Sequence, residues 1–397
     1  MLLVSDKQHA NKHTAVVNDN KPGRKTPNLG MPSVSLTIGV QPFVYVGRKI
    51  IHFPRACETM ESMKENTHRV LELFSGIGGM RMALEQTGKA FTIECAIDVN
   101  PIANAVYRHN FGDKVVRNGN ILSLSAEKIS KLNVNTILMS PPCQPFTRNG
   151  KFNDINDRRT DPFKHICDLL DKIPLVNFIL MENVKGFEKS QACQMYKTRL
   201  EEAGFHYQEY ILSPHQLGVP NTRHRYYCVA KRKGTDFKWN NEAIIVQQLD
   251  TQSDSQTNIG AIVEQHLEDP ELYALKSAAL LKHLPLMDVC TPKSTNSMCF
   301  TKAYTHYAEG TGSVFCPLPK HEFDKIYSSA MSVDDNDRKL ALLQELRVRY
   351  FTPKEVARLM SFPEQFNFPA DVTNKQRYRT LGNSINVFVV GVLLQEL

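Results

Sequence analysis

Cys143 stands in Ser140-Pro141-Pro142-Cys143-Gln144-Pro145-Phe146, directly after an apolar run from Asn135 to Met139. Each proline fixes its own φ and restricts its neighbour, so this loop holds a thiol in one place. By itself a loop cysteine reads as a buried free thiol. Placed with the right partners it is a nucleophile, because a thiolate attacks strongly once its pKa is lowered. Glu182, in Glu182-Asn183-Val184, is the first such partner. A carboxylate next to a thiol discourages its ionisation, so Glu182 suits a substrate better than it suits the cysteine. An aromatic nitrogen base fits both groups: the thiolate adds to a ring carbon while the acid engages a ring nitrogen.

Two further segments carry polar chemistry. In Asn221-Thr222-Arg223-His224-Arg225-Tyr226-Tyr227 the alternate arginines of an extended chain share a face. Two guanidinium groups so placed suit phosphate or carbonyl oxygens, although a salt-bridged surface strand has the same pattern. His224 alternates with them and is given no role. Ser75-Gly76-Ile77-Gly78-Gly79 is a glycine turn, and Asp98 follows about 20 residues on. Glycines let backbone approach a ligand, a helix N-terminus offers amides, and the carboxylate accepts from ribose hydroxyls. The pair indicates a nucleoside cofactor; a plain tight turn is the simpler reading of the glycines alone.

The elements that must position these groups alternate from His68 onward. Val70 to Phe74, Phe91 to Ile97, Asn135 to Met139, Phe178 to Met181 and Tyr226 to Ala230 read as strands. Met80 to Gln86 and Pro101 to His109 read as helices between them. The fold class is therefore α/β, a doubly wound, mainly parallel sheet with helices on both faces. The glycine turn, Asp98, Cys143 and Glu182 each follow a strand, so all project to one sheet edge, where such sheets bind ligands. The rhythm is lost from 233 to about 340 and resumes at Thr352-Pro353-Lys354-Glu355, a helix start with threonine as N-cap. Ile385 to Leu397 is an apolar helix expected to return onto the sheet. The expected organisation is a disordered extension at 1–64, a catalytic domain at 65–232 with 348–397, and a smaller irregular α+β target-recognition domain at 233–347.

The chain has 397 residues, 42% of them apolar and 22% charged. These are the proportions of a soluble globular protein. No apolar run is long enough to span a membrane. Its nine cysteines form no CxxC pair, so neither a zinc site nor a disulfide framework is expected, and a reduced, cytoplasmic compartment fits, with the nucleus as a second location. Of the net charge of +7, residues 1–64 carry +5, from nine basic and four acidic residues. The rest carries only +2, so a nucleic-acid surface must be a local patch. Arg148, Lys151, Arg158 and Arg159, on the loop after Cys143, are the candidates for it, with Lys302; a solvated mobile loop would show the same cations.

Leu73-Phe74-Ser75-Gly76-Ile77-Gly78-Gly79, Pro141-Pro142-Cys143-Gln144-Pro145, Glu182-Asn183-Val184, Arg223-x-Arg225 and Gly382-Asn383-Ser384 occur in this order. The set resembles the cytosine-5 methyltransferase family over about five-sixths of the chain. Cys299-Phe300-Thr301-Lys302, Glu309 to Ser313, Pro145 to Arg148 and Asp98-Val99-Asn100 resemble its small branch that methylates transfer RNA, at cytosine 38 of the anticodon loop of aspartate tRNA. The resemblance implies a Rossmann-like domain binding S-adenosylmethionine, with S-adenosylhomocysteine as product and no metal. It implies Cys143, Glu182, Arg223 and Arg225 as catalytic residues. Phe74 to Gly79, Asp98, Val99, Asn120, Ile121, Ser140, Pro141, Asn383 and Ser384 would hold the cofactor. Gln144, Asn183, Cys299, Phe300 and Thr301 would join the cations above at the substrate. The expected partner is tRNA, bound by a monomer, with DNA as a minor substrate. DNA methylation by the same site and a non-catalytic RNA-binding protein are the alternatives; the small second domain disfavours the first and the intact Cys143, Glu182 and arginine set the second.

Overall fold

In the computed structural model of the protein, seven strands form one sheet: β1 (His68–Leu73), β2 (Phe91–Asp98), β3 (Val116–Asn118), β4 (Thr136–Met139), β5 (Phe178–Val184), β6 (Phe205–Leu212) and β7 (Arg225–Arg232). The structure describes residues 67–142, 154–235, 245–249 and 256–397, and the backbone of a hairpin pairing Val44–Val46 with Lys49–Ile51. The sheet order is β3-β2-β1-β4-β5-β7-β6, parallel except for β7, which runs antiparallel to β5 and β6. This is the mainly parallel α/β sheet that the strand–helix alternation predicts. Strand order reverses between β1 and β4, and a crevice opens at their carboxyl ends.

Period-two alternation builds the two faces. Val70, Leu138, Leu180 and Val229 face one side. Leu71, Ile137, Ile179 and Cys228 face the other. Helices α1 (Gly79–Thr87) and α2 (Pro101–Phe111) cover the first face; α3 (Ala126–Lys131), α4 (Asp161–Cys167) and α5 (Gln191–Glu202) cover the second. The first core continues into Ile259, Cys290, Phe300, Tyr304, Phe315 and Phe351, so the irregular segment seats on the α1–α2 side. That segment holds α6 (Ser277–Lys282) and the short strands β8 (Val289–Cys290) and β9 (Val314–Phe315), then α7 (Lys320–Met331) and α8 (Asn336–Glu345); β10 (Arg349–Tyr350) completes a small sheet.

Thr352 and Glu355 form a reciprocal capping box at the start of α9 (Pro353–Leu359). Glu355 is fully buried and Arg349 grips both its oxygens, at 2.8 and 2.7 Å. A buried carboxylate needs such a partner. Then come α10 (Asn374–Gly382) and α11 (Val387–Leu394). The last is apolar nearly all round and lies on α1, with Gly391 facing the Ala83 carbonyl.

Glu72 in β1 is fully buried beneath the glycine turn. The Tyr107 hydroxyl donates to its Oε2 at 2.8 Å, and Oε1 has no partner. Burial pushes this carboxyl up to about 7, against the opposing pull of Tyr107 and Arg81. The folded state thus holds this proton more tightly than the unfolded chain does. Stability is therefore lost as pH rises from the ordinary carboxylate range to about 7. Glu72→Gln is expected to flatten this fall, which is worth about 3 kcal/mol. Thermal unfolding of both proteins at pH values on either side of that window checks it.

Candidate active site

β1 ends in a turn that only a few residues tolerate. Phe74 (φ 54°), Gly76 (φ 55°) and Gly78 (φ 85°) are all left-handed. Gly78 also has no room for a side chain, since a Cβ would stand 2.4 Å from the Phe111 ring. The turn is tied to the end of β2: the Gly76 N–H donates to Asp98 Oδ2 at 2.9 Å and the Asn100 N–H to Oδ1 at 2.7 Å. Burial raises the Asp98 carboxyl, and these backbone donors oppose it. Asn100 then caps α2 through the Ile102 and Ala103 amides. Asn120 starts the next turn by accepting from Leu122 N.

These groups line a cavity of about 450 Å³ at the carboxyl edge of the sheet. Phe74, Gly76, Ile77, Asp98, Val99, Asn120 and Ile121 wall one end. Val99 is 74% exposed, an apolar side chain at the rim with nothing over it. Ser140 and Pro141 follow β4, and Asn383 and Ser384 follow α10; all four also line the cavity. Ser75 and Gly79 stand behind the wall, Ser75 buried with its hydroxyl unpartnered and Gly79 pressed against Ile385 and Ser384. A flat ring fits the apolar rim and a ribose fits Asp98, so the residues present suit a nucleoside cofactor.

The other end carries Glu182, Arg223 and Arg225. Glu182 is the fifth residue of β5, opposite Tyr227 of β7. Arg225 Nε lies 3.4 Å from Glu182 Oε1. Burial raises the Glu182 carboxyl, while Arg225, then Arg223 and the Ser140 hydroxyl favour its charged form. Arg223 is differently used. Its Nη1 donates to the Phe300 carbonyl at 3.0 Å and its Nη2 to the Gly382 carbonyl at 3.1 Å and to that of Ser384. It clasps two chain segments through three carbonyls and is 3% exposed. The sequence reading gave the two arginines one role; the structure separates them.

Pro142 lines the cavity, and Cys143 is the next residue. Cys143, Gln144, Arg148 and Lys151 lie outside the described residues. Arg159 lines the cavity and pairs with Asp157; Arg158 is exposed. Asn183 is buried, with its Nδ2 unpartnered. Phe300 is a core side chain, packed edge-on against Tyr304 and Phe351. Lys302 lines a different hollow with Tyr273, Lys276, Lys375 and Arg379. Sequence reasoning left out the cavity residues Ala103, Gly119, Pro162 and Thr380, which stand outside the motifs it singled out.

Gly382 explains itself only in three dimensions. A Cβ there would stand 2.2 Å from both Lys302 N and the Thr301 carbonyl carbon. Gly382→Ala is expected to cost about 3 kcal/mol by forcing that backbone away. Gly119→Ala, whose Cβ meets nothing nearer than 3.6 Å, should leave Tm unchanged. Thermal unfolding of the two variants compares them.

Residues 68–397 match the family described as C-5 cytosine-specific DNA methylase. The chain belongs to this family. A Spodoptera frugiperda protein named tRNA (cytosine(38)-C(5))-methyltransferase is 45% identical over 83% of this chain and 99% of its own length. A Dictyostelium discoideum protein named DNA (cytosine-5)-methyltransferase is 35% identical over 83% of this chain and 94% of its own. The solved structure of a Spodoptera frugiperda DNMT2 variant superposes with a TM-score of 0.77 at 44% identity, covering 83% of this chain and 99% of that one. As a member of the cytosine-5 methylase family, the chain has the mainly parallel Rossmann-like sheet of a methyltransferase.

Proposed function

We propose that this protein transfers a methyl group from S-adenosylmethionine to carbon 5 of cytosine 38 in the anticodon loop of a tRNA. The observation that carries this reading is one cavity with two kinds of wall: a nucleoside cradle around Asp98, and the Glu182–Arg225 pair. S-adenosylmethionine, when bound, supplies an electrophilic methyl group. The turn from Phe74 to Ile77, Asp98, Val99, Asn120 and Ile121 would hold it, with Ser140, Pro141, Asn383 and Ser384 closing the site. Cys143 would add to carbon 6 of the flipped cytosine. Glu182, with its carboxyl raised by burial, would share a proton with ring N3 and hold the exocyclic amine. That makes carbon 5 nucleophilic. Loss of the carbon-5 proton after methylation lets the ring expel the Cys143 thiolate, so the enzyme ends as it began. Arg225 would orient Glu182 and meet the base carbonyl.

The names of the relatives support RNA first and DNA second. The physics agrees: an anticodon loop presents unstacked bases, so flipping costs less than in a duplex. Purified protein should be given labelled methyl donor with total tRNA and, in parallel, a cytosine-rich DNA duplex. Label confined to tRNA, at one anticodon-loop cytosine by bisulfite sequencing, is the expected result. Faster labelling of the duplex would overturn the RNA assignment and leave the cytosine chemistry standing.

A further inference from the structure

The hollow that holds Lys302 has a volume of about 620 Å³ and takes no part in the chemistry proposed above. Its floor is aromatic and fixed. The buried Tyr304 donates its hydroxyl to the Ser313 carbonyl at 2.7 Å, and the buried Tyr378 donates to that of Phe351 at 2.7 Å. The Tyr304 ring meets those of Tyr378 and Tyr350 edge-on, with centroids 5.2 and 5.5 Å apart. Tyr273 and Tyr350 complete the floor and are only half-buried. The walls carry Lys276, Lys302, Lys375 and Arg379, all exposed. Residues 65–397 have a net charge of only +2. Yet among the described residues no carboxylate lines this hollow, and none of the four cationic side chains has an ion-pair or hydrogen-bond partner. Two carboxylates act on Tyr273 from nearby, and both are engaged: Glu264 accepts from Thr352, and Glu355 from Arg349.

Two of these cations are also placed against the stability of their own helix. Lys375 is the second residue of α10, whose first turn has no acidic residue, so its charge opposes the helix dipole. Arg379 follows four residues later, a like-charge neighbour on the same face. Thr305, also in the wall, is held at φ 68°, where a β-branched side chain is strained. An anion in the hollow would offset the first two costs. The catalytic cavity adjoins it: Thr380 and Gly382, later in α10, line that cavity, and Gly382 lies against the Thr301–Lys302 backbone. We propose that the hollow seats a second nucleotide of the substrate RNA, a loop neighbour of the target cytosine, with its phosphate among Lys302, Lys375 and Arg379 and its base on Tyr273 and Tyr350. This deepens the reading of the cavity as an RNA cytosine methylation site and rests on it. A bare phosphate would leave most of the 620 Å³ unfilled. A base in a duplex stays stacked away from such a floor. An unstacked loop nucleotide supplies both the ring and the charge.

The test measures binding of an anticodon stem-loop RNA by the full chain without methyl donor, so it does not depend on turnover. In the first arm, Lys375→Gln is expected to raise Kd about fivefold and to lower the slope of log Kd against log salt by about one. Tm is expected to hold or rise, since α10 loses an unfavourable cation. An unchanged Kd, or weaker binding that comes with a lower Tm, overturns the site. The second arm walks an abasic nucleotide through the loop and leaves the target cytosine in place. One position is expected to weaken binding to the wild-type protein about tenfold. The same position should cost Lys375→Gln/Arg379→Gln less than about threefold, because the seat is already lost. No sensitive position, or an equal loss in the double variant, overturns the seating of a base. Binding with the expected pattern but without methylation of the cytosine, once donor is added, would uphold the hollow and break the methyl-transfer reading alone.

Discussion

Cys143→Ala is expected to abolish methyl transfer, by more than about 10⁴-fold, while cofactor affinity stays within about twofold. Unactivated carbon 5 of cytosine does not attack a methyl donor. The ring becomes a nucleophile only after something adds at carbon 6, and Cys143 is the residue that follows the Pro141–Pro142 edge of the cavity. Serine in its place is a far weaker nucleophile at neutral pH, so Cys143→Ser should be as inactive. Cofactor binding, read by calorimetry, should survive because the Asp98 cradle lies at the other end of the cavity. Turnover above a few per cent of wild type in Cys143→Ala would remove the covalent step from the mechanism.

Glu182→Gln is expected to lower kcat about a thousandfold with RNA binding retained. The amide keeps a hydrogen bond to the base but cannot share a proton with N3. The pH dependence separates this role from packing. Burial raises the Glu182 carboxyl, so at a given pH more of it is protonated than of an ordinary glutamate. As pH rises through that raised value the proton is lost, and the alkaline side of the kcat profile should fall with it. In Glu182→Gln that limb should be absent. A variant with wild-type kcat and an unchanged profile would make Glu182 a structural residue of β5.

Much of this site was legible in the chain because its residues follow strands. The glycine turn and Asp98 each sit at a strand end, and Glu182 lies in the last half of β5, which runs on to Val184 beyond the Met181 at which the sequence reading ended it. The turn at Gly76 and Gly78 could be read because left-handed backbone favours glycine; the left-handed Phe74 between them and β1 carries no such mark. Arg223 could not be read this way. Its partners are carbonyls of Phe300, Gly382 and Ser384, and a carbonyl leaves no mark on a sequence. Gly382 has the same cause, since its constraint is the backbone of Thr301 and Lys302. Phe300 read as a substrate contact from its motif, yet aromatic burial claims its side chain. Strand β6 escaped because His206, Gln208 and Glu209 interrupt its apolar pattern; Glu209 is buried only because Tyr226 and Lys197 meet it. In the segment after 233, α7 and α8 are half-exposed helices packed on a small core of their own, too weakly patterned to stand out.

The proposed mechanism requires a covalent bond between this chain and a cytosine ring. The direct measurement uses a tRNA anticodon stem-loop carrying 5-fluorocytidine at position 38, incubated with protein and S-adenosylmethionine. Fluorine at carbon 5 cannot leave as a proton does, so the adduct should persist. Mass spectrometry of the digested complex is predicted to place the methylated nucleotide on Cys143 at near one equivalent, and to find none with Cys143→Ala. An adduct on another residue, or full methylation of the unfluorinated RNA with no adduct from its fluorinated twin, would contradict the mechanism.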